Sequence, residues 1–446
     1  MSNLLPAELW STIPNLSPDQ WHQLEEAHQQ PPVVSVRINP DKNSHAFDSF
    51  TPVPWCTYGY YLPERPSFTY DPLFHCGTYY VQEASSMFLS YALKQVIQFD
   101  DDILALDLSA APGGKTTLVS SLMNDRSLLI ANEVISSRAG ILAENTIKWG
   151  RINTWVSQSD PRQFGALRET FDLVLMDMPC SGSGLFRKKT GYRDEWNPDL
   201  VRHCAERQKR ILHDSLESLK PGGILMYMTC SFSAEENEDI GDYILQHFPM
   251  KPVHIEVPAE WNIVCSQTVT GTRGYRFFPG NIRGEGFYLS CFRKEGDSVT
   301  GFTTGEGLQK SNKGIHLLSS WTDTIQLCTT EYKDQLIMMH IAHAGLRDQF
   351  PGVRFLRKGI LAGKLVRDEL IPAHELAMYS SLVSKRPFVD LSEEQALAFL
   401  RKQSIELPDA PHGWVLAMYK GMALGWIKNL GKRSNNYYPS AYRILN

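Results

Sequence analysis

The chain has 446 residues, of which 42% are hydrophobic and 21% charged, with a formal net charge of −5. These fractions lie in the range of ordinary globular proteins and indicate neither a disordered nor a membrane protein. The N-terminus has no basic segment followed by an apolar one, and no apolar run approaches the ~18 residues of a membrane span. The length predicts roughly two to four domains, and we expect a monomer.

Cysteine usage indicates a reducing compartment. The cysteines show no CxxC spacing and do not cluster with histidine, which argues against a disulfide scaffold, a structural zinc or a dithiol redox motif. We therefore predict no metal site, and a cytoplasmic protein with reduced thiols. The cysteines are Cys56, Cys76, Cys180, Cys204, Cys230, Cys265, Cys291 and Cys328.

The first 98 residues are rich in proline and aromatic residues. A helical pattern covers Pro18–His28, and a β-like pattern follows over Val33–Ile38. We interpret residues 1–98 as an N-terminal extension.

From Ile103 the pattern changes to short apolar strands that alternate with helices. Such alternation predicts βαβ units and a mostly parallel, doubly wound α/β sheet, which we assign to residues 99–295. The predicted strands are Ile103–Leu108, Leu128–Asn132, Asn153–Ser157, Phe171–Met176 and Ile224–Met228. The predicted helices are Lys115–Met123, Ser136–Trp149 and Pro198–Leu219. Residues 220–223, Lys-Pro-Gly-Gly, are expected to form the turn between the last helix and the last strand.

Residues 296–314 are polar and lack apolar periodicity, so we predict a linker there. Beyond it, residues 315–446 are expected to form a small α+β domain. Trp414–Tyr419 and Met422–Trp426 flank Lys420-Gly421 as a predicted β-hairpin. Ser392–Arg401 is predicted to be a helix that begins with a capping box of Ser392 and Gln395.

The charge of the chain is unevenly distributed. Residues 300–446 hold 18 Lys and Arg against 13 Asp and Glu, a net of +5, which leaves −10 for residues 1–299. Residues 410–446 contain no acidic residue and carry aromatic residues between the basic ones: Trp414, Tyr419, Trp426, Tyr437, Tyr438 and Tyr442. Basic groups neutralise phosphates and aromatic faces stack bases, so this mixture suits RNA. The alternative is a solvated surface above a few core aromatics.

The first strand of the predicted sheet runs into a loop of small residues, Asp107 to Thr116. Two glycines between a strand and a helix let the backbone approach a nucleotide-like ligand, and the helix N-terminus offers free N–H groups. The loop lacks the glycine pattern of a phosphate-cradling GxxxxGK[ST] motif and of a dinucleotide GxGxxG motif. The candidate binding residues are Ser109, Ala110, Ala111, Pro112, Gly113, Gly114 and Lys115.

Two acidic residues follow the next strands. Glu133 ends the second strand 20 residues after Gly113, where a carboxylate meets ribose hydroxyls in doubly wound nucleotide sites. Asp160 follows the third strand and is expected either to accept from an adenine amine or to cap the helix that begins near Pro161. A nucleoside site without a phosphate cradle suits S-adenosylmethionine.

Two cysteines come directly after apolar, strand-like runs. Cys180 lies in Asp177-Met178-Pro179-Cys180-Ser181-Gly182, and Cys230 lies in Thr229-Cys230-Ser231. In an open α/β sheet the ends of these strands form the edge where ligands bind. Two thiols presented there indicate chemistry, although cysteine also fills cores as a small hydrophobic residue.

Taken together, these motifs resemble the RNA 5-methylcytosine methyltransferases of the Sun/Fmu type, and within them the RsmF-like subgroup. The resemblance covers roughly residues 30–295, and the tail from Gly413 to Arg443 is similar to that subgroup's PUA-like domain. The matching segments, in chain order, are residues 82–86, 107–116, 177–182, 184–188, 207–212, 229–231, 235–238, 274–279 and 284–287. Two positions depart from the family pattern: Ser109, where many members have cysteine, and Asn281, where histidine is common.

The resemblance implies a Rossmann-like class I methyltransferase fold with an N-terminal α+β extension that takes part in RNA binding, residues 1–98, and a C-terminal PUA-like RNA-binding domain. It implies S-adenosylmethionine-dependent methylation of carbon 5 of a cytosine in small-subunit (16S) ribosomal RNA, on the RNA or on the assembled subunit. Two alternatives stay open: the same chemistry on transfer RNA, and a catalytically inactive RNA-binding assembly factor.

The residue types alone do not decide which thiol attacks, because DNA cytosine methyltransferases use a Pro-Cys cysteine as nucleophile. The resemblance assigns attack on carbon 6 to Cys230, product release to Cys180 and binding of the base's polar edge to Asp177. Lys115 would help to position the site; otherwise it points to solvent at the helix N-terminus. We also considered four basic residues as phosphate contacts, with a solvated helix entry as the alternative: Arg187, Lys188, Lys189 and Arg193.

Overall fold

The computed structural model of the chain describes residues 5–42, 46–188, 190–297, 312–367 and 369–445. Most of the predicted linker, and Lys189 among the candidate phosphate contacts, lie outside these ranges.

The N-terminal region combines helices with a small antiparallel sheet. Its helices are α1 (Pro18–His28), α2 (Pro72–His75) and α3 (Phe88–Val96), and its strands are β1 (Val34–Ile38), β2 (Thr51–Pro52), β3 (Gly59–Leu62) and β4 (Tyr79–Val81). The strands pair in the order β2-β3-β1-β4. Helix α1 begins where the sequence predicts it, because the Ser17 side chain accepts from the Gln20 amide and the Gln20 side chain accepts from the Ser17 amide.

The middle of the chain builds the large sheet. Its strands are β5 (Leu104–Asp107), β6 (Leu128–Asn132), β7 (Thr154–Ser157), β8 (Phe171–Asp177), β9 (Leu219–Thr229), β10 (Met250–Pro252), β11 (Val264–Gln267), β12 (Arg273–Phe277) and β13 (Phe287–Lys294). Its helices are α4 (Gly114–Leu122), α5 (Ser136–Trp149), α6 (Pro161–Gly165), α7 (Thr190–Glu195), α8 (Pro198–Ser215) and α9 (Glu238–His247).

The parallel part of this sheet has the order β9-β8-β5-β6-β7, and β13 adds antiparallel to β9. The reversal of strand order beside β5 creates the switch point at which doubly wound sheets bind their ligands. The predicted Rossmann-like sheet is therefore confirmed, and the loops after β5, β6, β7, β8 and β9 meet at one edge.

One local prediction was wrong. Residues 220–223 do not form a turn ahead of a strand but lie inside β9, which begins at Leu219. The pairing with β8 moves from Phe171 opposite Leu219 to Leu173 opposite Ile224, so the extra residues bulge out, with Gly222 at a φ of 75°. The Pro-Gly-Gly signal marks this bulge, because glycine supplies the positive φ that the bulge requires.

The C-terminal region holds two further four-stranded sheets, β14-β15-β17-β18 and β19-β20-β21-β22. Their strands, with β16, are β14 (Leu327–Tyr332), β15 (Gln335–His340), β16 (Phe355–Arg357), β17 (Ile360–Val366), β18 (Glu369–Pro372), β19 (Phe388–Asp390), β20 (Gly413–Tyr419), β21 (Met422–Asn429) and β22 (Ser434–Asn436). The helices are α10 (Asn312–Ser319), α11 (His374–Met378) and α12 (Glu393–Leu400). The predicted hairpin at Lys420-Gly421 and the capping box at Ser392 are both present.

Strand β16 leaves the C-terminal region and joins the large sheet. It pairs antiparallel with β7, and Arg357 Nη1 donates to the Thr154 carbonyl at 2.9 Å. The rings of Phe350 and Phe355 pack edge-on against Trp155 of β7. The C-terminal region is thus continuous with the large sheet rather than attached only through the polar segment before it.

Three of the six C-terminal aromatics that suggested base stacking are core residues. Tyr419, Trp426 and Tyr438 are 6%, 1% and 1% exposed, so their faces are closed to a nucleic acid. Trp414 and Tyr437 remain half-buried and contact each other at 4.5 Å between ring centroids. Over the described ranges no helix has the length and apolar character needed to cross a membrane.

Candidate active site

The loop between β5 and α4 sits at the switch point of the sheet. Helix α4 begins at Gly114 without a side-chain cap from the residue before it, and that residue, Gly113, has a φ of 109°, which only glycine adopts easily. The backbone N–H groups of the first turn are therefore available to a ligand. Behind the loop, Thr116 Oγ1 donates to Asp107 Oδ2 at 2.7 Å, and burial raises the pKa of Asp107 to about 7.

The N-terminal sheet supports this loop from the side. The buried guanidinium of Arg37 in β1 donates to Thr117 Oγ1 at 2.6 Å, to the Gly114 carbonyl at 3.2 Å and to Gln82 Oε1 at 2.8 Å. Burial lowers the pKa of Arg37 to about 10. No local pattern marks Arg37, because its partners lie 45 to 80 residues away.

Glu133 and Asp160 lie at the ends of β6 and β7, as predicted. Glu133 Oε1 accepts from the Ile135 amide, whereas Oε2 is buried, lies 3.4 Å from Arg138 Nη1 and accepts no hydrogen bond from the described residues. A buried oxygen without a donor fits a ligand hydroxyl. Asp160 caps α6 by accepting from the Arg162 amide and also faces the same cavity, so the two roles expected for it are compatible.

A cavity of about 1090 Å³ joins the predicted residues. Its lining includes Ser109, Ala111, Pro112, Lys115, Glu133, Asp160, Asp177, Cys180 and Cys230. Ala110 and Gly114 line a smaller cavity that shares Ser109 and Lys115 with the larger one, and Gly113 lines neither of the two. The nucleoside-like end and the thiols are thus parts of one continuous space.

The two thiols meet where β8 and β9 end. Cys180 Sγ lies 3.1 Å from Cys230 Sγ, and both cysteines are half-buried. The hydrogen bond with Cys230, together with burial, raises the pKa of Cys180 well above its ordinary value. These two of the eight cysteines therefore share one site.

Lys115 and Asp177 form an ion pair beside the thiols, with Nζ 2.8 Å from Oδ2. Burial alone would lower the pKa of Lys115, but the Asp177 carboxylate and, more weakly, the charge of Cys230 outweigh it, so that the pKa is raised. Lys115 thus stays an ammonium group and does not point into solvent.

Glu236 connects the two cysteine loops and was not foreseen from the sequence. Its carboxylate accepts from the Ser181 amide at 2.7 Å, from Ser181 Oγ at 2.6 Å and from Ser231 Oγ. Ser181 follows Cys180 and Ser231 follows Cys230, so one buried side chain ties both thiol-bearing turns together.

The hydrogen-bond partners of Glu236 are polar but uncharged. Burial raises its pKa, and the hydrogen bonds from Ser181 and Ser231 oppose this rise. The Tyr227 hydroxyl lies within hydrogen-bond distance of both the Glu236 carbonyl and Gln208 Oε1 and donates its single proton to one of these two acceptors. Gln208 Nε2 donates to the Pro179 carbonyl. Helix α8 is thereby joined to the same network.

The candidate phosphate contacts differ from one another in burial and in their partners. Arg187 is 5% exposed, forms a bidentate ion pair with Glu285 and donates to two carbonyls, so the expectation that it binds phosphate is wrong. Arg193 lies 3.5 Å from Asp194, and Lys188 is exposed. Arg207 and Arg210 of α8 line the cavity with the thiols, which nothing in the sequence indicated.

Comparisons with known proteins agree with this architecture. Family models for the 16S rRNA methyltransferase RsmB/F, the N-terminal domain of the 16S rRNA methyltransferase RsmF and the methyltransferase RsmF PUA domain match residues 94–293, 5–84 and 386–444. Ribosomal RNA small subunit methyltransferase F of Shewanella woodyi is 30% identical over 407 residues, covering 87% of this chain and 84% of the relative. The protein of that name from Aliivibrio fischeri is 29% identical, covering 97% and 95%.

Two solved structures share the fold. The methyltransferase homolog protein from Pyrococcus horikoshii has a TM-score of 0.53 and 30% identity, covering 65% of this chain and 94% of that one. NSun6 from Pyrococcus horikoshii, determined with SFG, has a TM-score of 0.56 and 20% identity, covering 67% and 100%.

The fold and the composition of the site define a Rossmann-like RNA methyltransferase with N-terminal and PUA domains. More particularly, the chain belongs to the 16S rRNA methyltransferase RsmB/F family, and within it the chain is similar to ribosomal RNA small subunit methyltransferase F.

Proposed function

We propose that the protein transfers a methyl group from S-adenosylmethionine to carbon 5 of a cytosine in small-subunit ribosomal RNA through a covalent cysteine adduct. The observation that carries this proposal is the pair of thiols 3.1 Å apart beside the Lys115–Asp177 ion pair, in the cavity that also contains Glu133. Membership of an rRNA methyltransferase family supports the choice of substrate.

The nucleoside end of the cavity fits S-adenosylmethionine, which supplies an electrophilic methyl group when bound. Glu133 Oε2 has no hydrogen-bond donor among the described residues and would accept from a ribose hydroxyl. The loop of Ser109 to Lys115 would hold the amino-acid end with its free N–H groups. The related NSun6 structure, determined with the S-adenosylmethionine analogue SFG, supports this cofactor class.

The attack requires a thiolate, because carbon 5 of cytosine is a poor nucleophile. When the Cys230 sulfur adds to carbon 6, carbon 5 becomes enamine-like and can take the methyl group. Lys115, paired with Asp177, places a positive charge in the same cavity as Cys230. Asp177, held by Lys115, would accept a hydrogen bond from the exocyclic amine of the base and so orient its ring.

Release of the product needs a second group. The proton on carbon 5 passes to Cys180, its electron pair restores the double bond between carbons 5 and 6, and Cys230 leaves as a thiolate. Cys180 accepts this proton as a thiolate and so acts as the base of the elimination.

Substitution of each thiol separates the two roles. Cys230→Ala should abolish methylation and covalent capture of RNA, because no sulfur remains to form the adduct. Cys180→Ala should still form the adduct but release it slowly, so that a protein–RNA band accumulates on a denaturing gel. Cys265→Ala, at an exposed cysteine outside the cavity, serves as the control and should behave as the unaltered protein.

The opposite pattern, an adduct with Cys230→Ala and none with Cys180→Ala, would reverse the assignment. The substrate is tested by bisulfite mapping of ribosomal RNA from a deletion strain, with and without the gene restored. A cytosine that loses its methyl group on deletion is the expected result, and an unchanged small-subunit methylation pattern would refute the proposed substrate.

A further inference from the structure

Helix α8 presents a row of side chains to the mouth of the cavity. Arg207, Arg210, Ile211 and Asp214 all line the cavity that contains Cys180 and Cys230. Residues three and four apart lie on the same face of a helix, so this row is one continuous stripe. Arg207 and Arg210 are exposed, which leaves their guanidinium groups at the rim.

The charges of these two arginines are not neutralised within the described residues. On the same helix, Arg202 pairs with Asp199 and Lys209 pairs with Glu206. Asp214, the acidic residue of the stripe, pairs with Arg162 at 3.3 Å. Over the described ranges neither Arg207 nor Arg210 forms an ion pair or hydrogen bond with another side chain.

The other arginines near the cavity are already engaged. Arg187 is fixed by Glu285, and Arg138 donates to the Ala111 carbonyl and lies beside Glu133. Arg207 and Arg210 lie about one turn apart on helix α8, within a segment, residues 1–299, whose net charge is −10. They make a local site for anionic groups in an otherwise acidic part of the protein.

We infer that Arg207 and Arg210 bind the RNA phosphates that flank the target nucleotide, an inference that rests on the proposed function. A base can reach Cys230 only after leaving its stack, and its backbone then stays at the rim of the cavity. Side chains at i and i+3 of a helix are ~5–6 Å apart and can reach neighbouring phosphates. The planar guanidinium is suited to bidentate hydrogen bonding with phosphate oxygens.

Salt dependence of RNA binding tests this assignment. The probe is a fluorescein-labelled, single-stranded RNA 20-mer of mixed sequence, and the full-length protein carries Cys230→Ala to prevent adduct formation. For every phosphate that the protein no longer neutralises, the slope of log affinity against log salt should become shallower by ~0.7 for single strands. The double variant Arg207→Ala/Arg210→Ala should therefore have a slope shallower by about 1.4 and bind more weakly at low salt.

Matched variants separate a local effect of these arginines from a general charge effect. Arg202→Ala/Lys209→Ala removes the same number of charges from the same helix, at ion-paired positions outside the cavity lining, and should leave the slope unchanged. Arg207→Lys/Arg210→Lys keeps the charges and should keep most of the slope. Affinity for S-adenosylmethionine, measured by calorimetry, should be equal in all variants.

An unaltered slope in Arg207→Ala/Arg210→Ala would overturn the inference, and so would an equal change in the Arg202→Ala/Lys209→Ala control. A loss of cofactor affinity with unchanged RNA binding would also overturn it, because the arginines would then bind the cofactor. The readout needs no catalysis: if the protein proved unable to methylate cytosine, the proposed function would fail while the slope could still be measured.

Discussion

At the scale of single residues, the positions of the two thiols depend on the carboxylate of Glu236, although this carboxylate forms no hydrogen bond with either sulfur. Glu236 accepts from Ser181 and Ser231, each one position after a cysteine. A buried carboxylate costs free energy unless hydrogen bonds compensate it. The hydrogen bonds from Ser181 and Ser231 compensate this cost only while the two turns stay in place. We therefore interpret Glu236 as the residue that holds the two turns in one arrangement.

Replacing Glu236 should therefore affect the rate more than binding. Glu236→Ala leaves the Ser181 amide and both hydroxyls without their acceptor, and a displacement of about 1 Å at a reacting group lowers rates by about 100-fold. Glu236→Gln keeps a carbonyl acceptor and should recover much of the rate. Single-turnover adduct formation and the KM for RNA measure the two effects separately.

Glu235→Ala is the control, since this neighbouring acidic residue makes no hydrogen bond to either cysteine loop in the described part of the chain. Equal rates of adduct formation in Glu236→Ala and the unaltered protein would contradict a positioning role. Failure of Glu236→Gln to recover activity would show that the charge, rather than the hydrogen-bond geometry, is required.

The role of a residue could be predicted from the sequence where its hydrogen-bond partner lies only a few residues away. Asp160 caps a helix two residues away, and the Ser392–Gln395 capping box spans three. Arg187 was misread because its partner, Glu285, lies 98 residues further along the chain. Glu236 lies 55 residues from Ser181, and no periodicity connects them.

At the scale of elements, the turn after Cys180 is packed backbone to backbone against the turn that contains Cys230. The Gly184 amide donates to the Cys230 carbonyl at 2.8 Å, and the Gly286 amide donates to the Gly184 carbonyl at 3.1 Å. A Cβ at Gly184 would lie 2.6 Å from the Gly286 oxygen and 2.8 Å from the Cys230 oxygen. Only glycine permits this approach.

Gly184→Ala should consequently displace the Cys230 turn and reduce methylation by at least about tenfold. The control is Gly191→Ala in helix α7, where a Cβ would meet nothing within 4 Å and alanine favours the helix by ~1 kcal/mol. Methylation rates and thermal midpoints of both variants check the prediction. Full activity of Gly184→Ala would mean that the two turns can move apart without harm.

Elements defined by local signals matched the structure closely, as for α5, predicted and observed at Ser136–Trp149. The Pro-Gly-Gly of residues 221–223 misled because the same glycines that end helices also form bulges, and only the partner strand decides between the two. Tyr419, Trp426 and Tyr438 could not be told from exposed aromatics in the same way, since composition does not tell which face of a sheet is covered.

At the scale of the whole molecule, the three regions share their cores. One cluster combines Trp155 and Phe171 of the large sheet with Met339, Leu346 and Phe350 of the C-terminal region. Another combines N-terminal with C-terminal residues, among them Val36 and Cys76 with Phe399 and Leu424. Stability is therefore expected to be cooperative across the chain.

A chain ending at Asp297 should for this reason not behave as an independent methyltransferase. Removal of residues 298–446 would expose the edge of β7 and the apolar surface around Trp155, and each large apolar side chain left unburied costs about 1.5–3 kcal/mol. We expect a thermal midpoint lowered by more than about 10 °C or an aggregated product, measured by circular dichroism and size-exclusion chromatography. Co-expression with residues 312–446 should recover a soluble, active complex, because the two parts together can rebuild the shared core. A soluble fragment 1–297 with the thermal midpoint of the full chain would contradict the shared core and would make the C-terminal region an appendage.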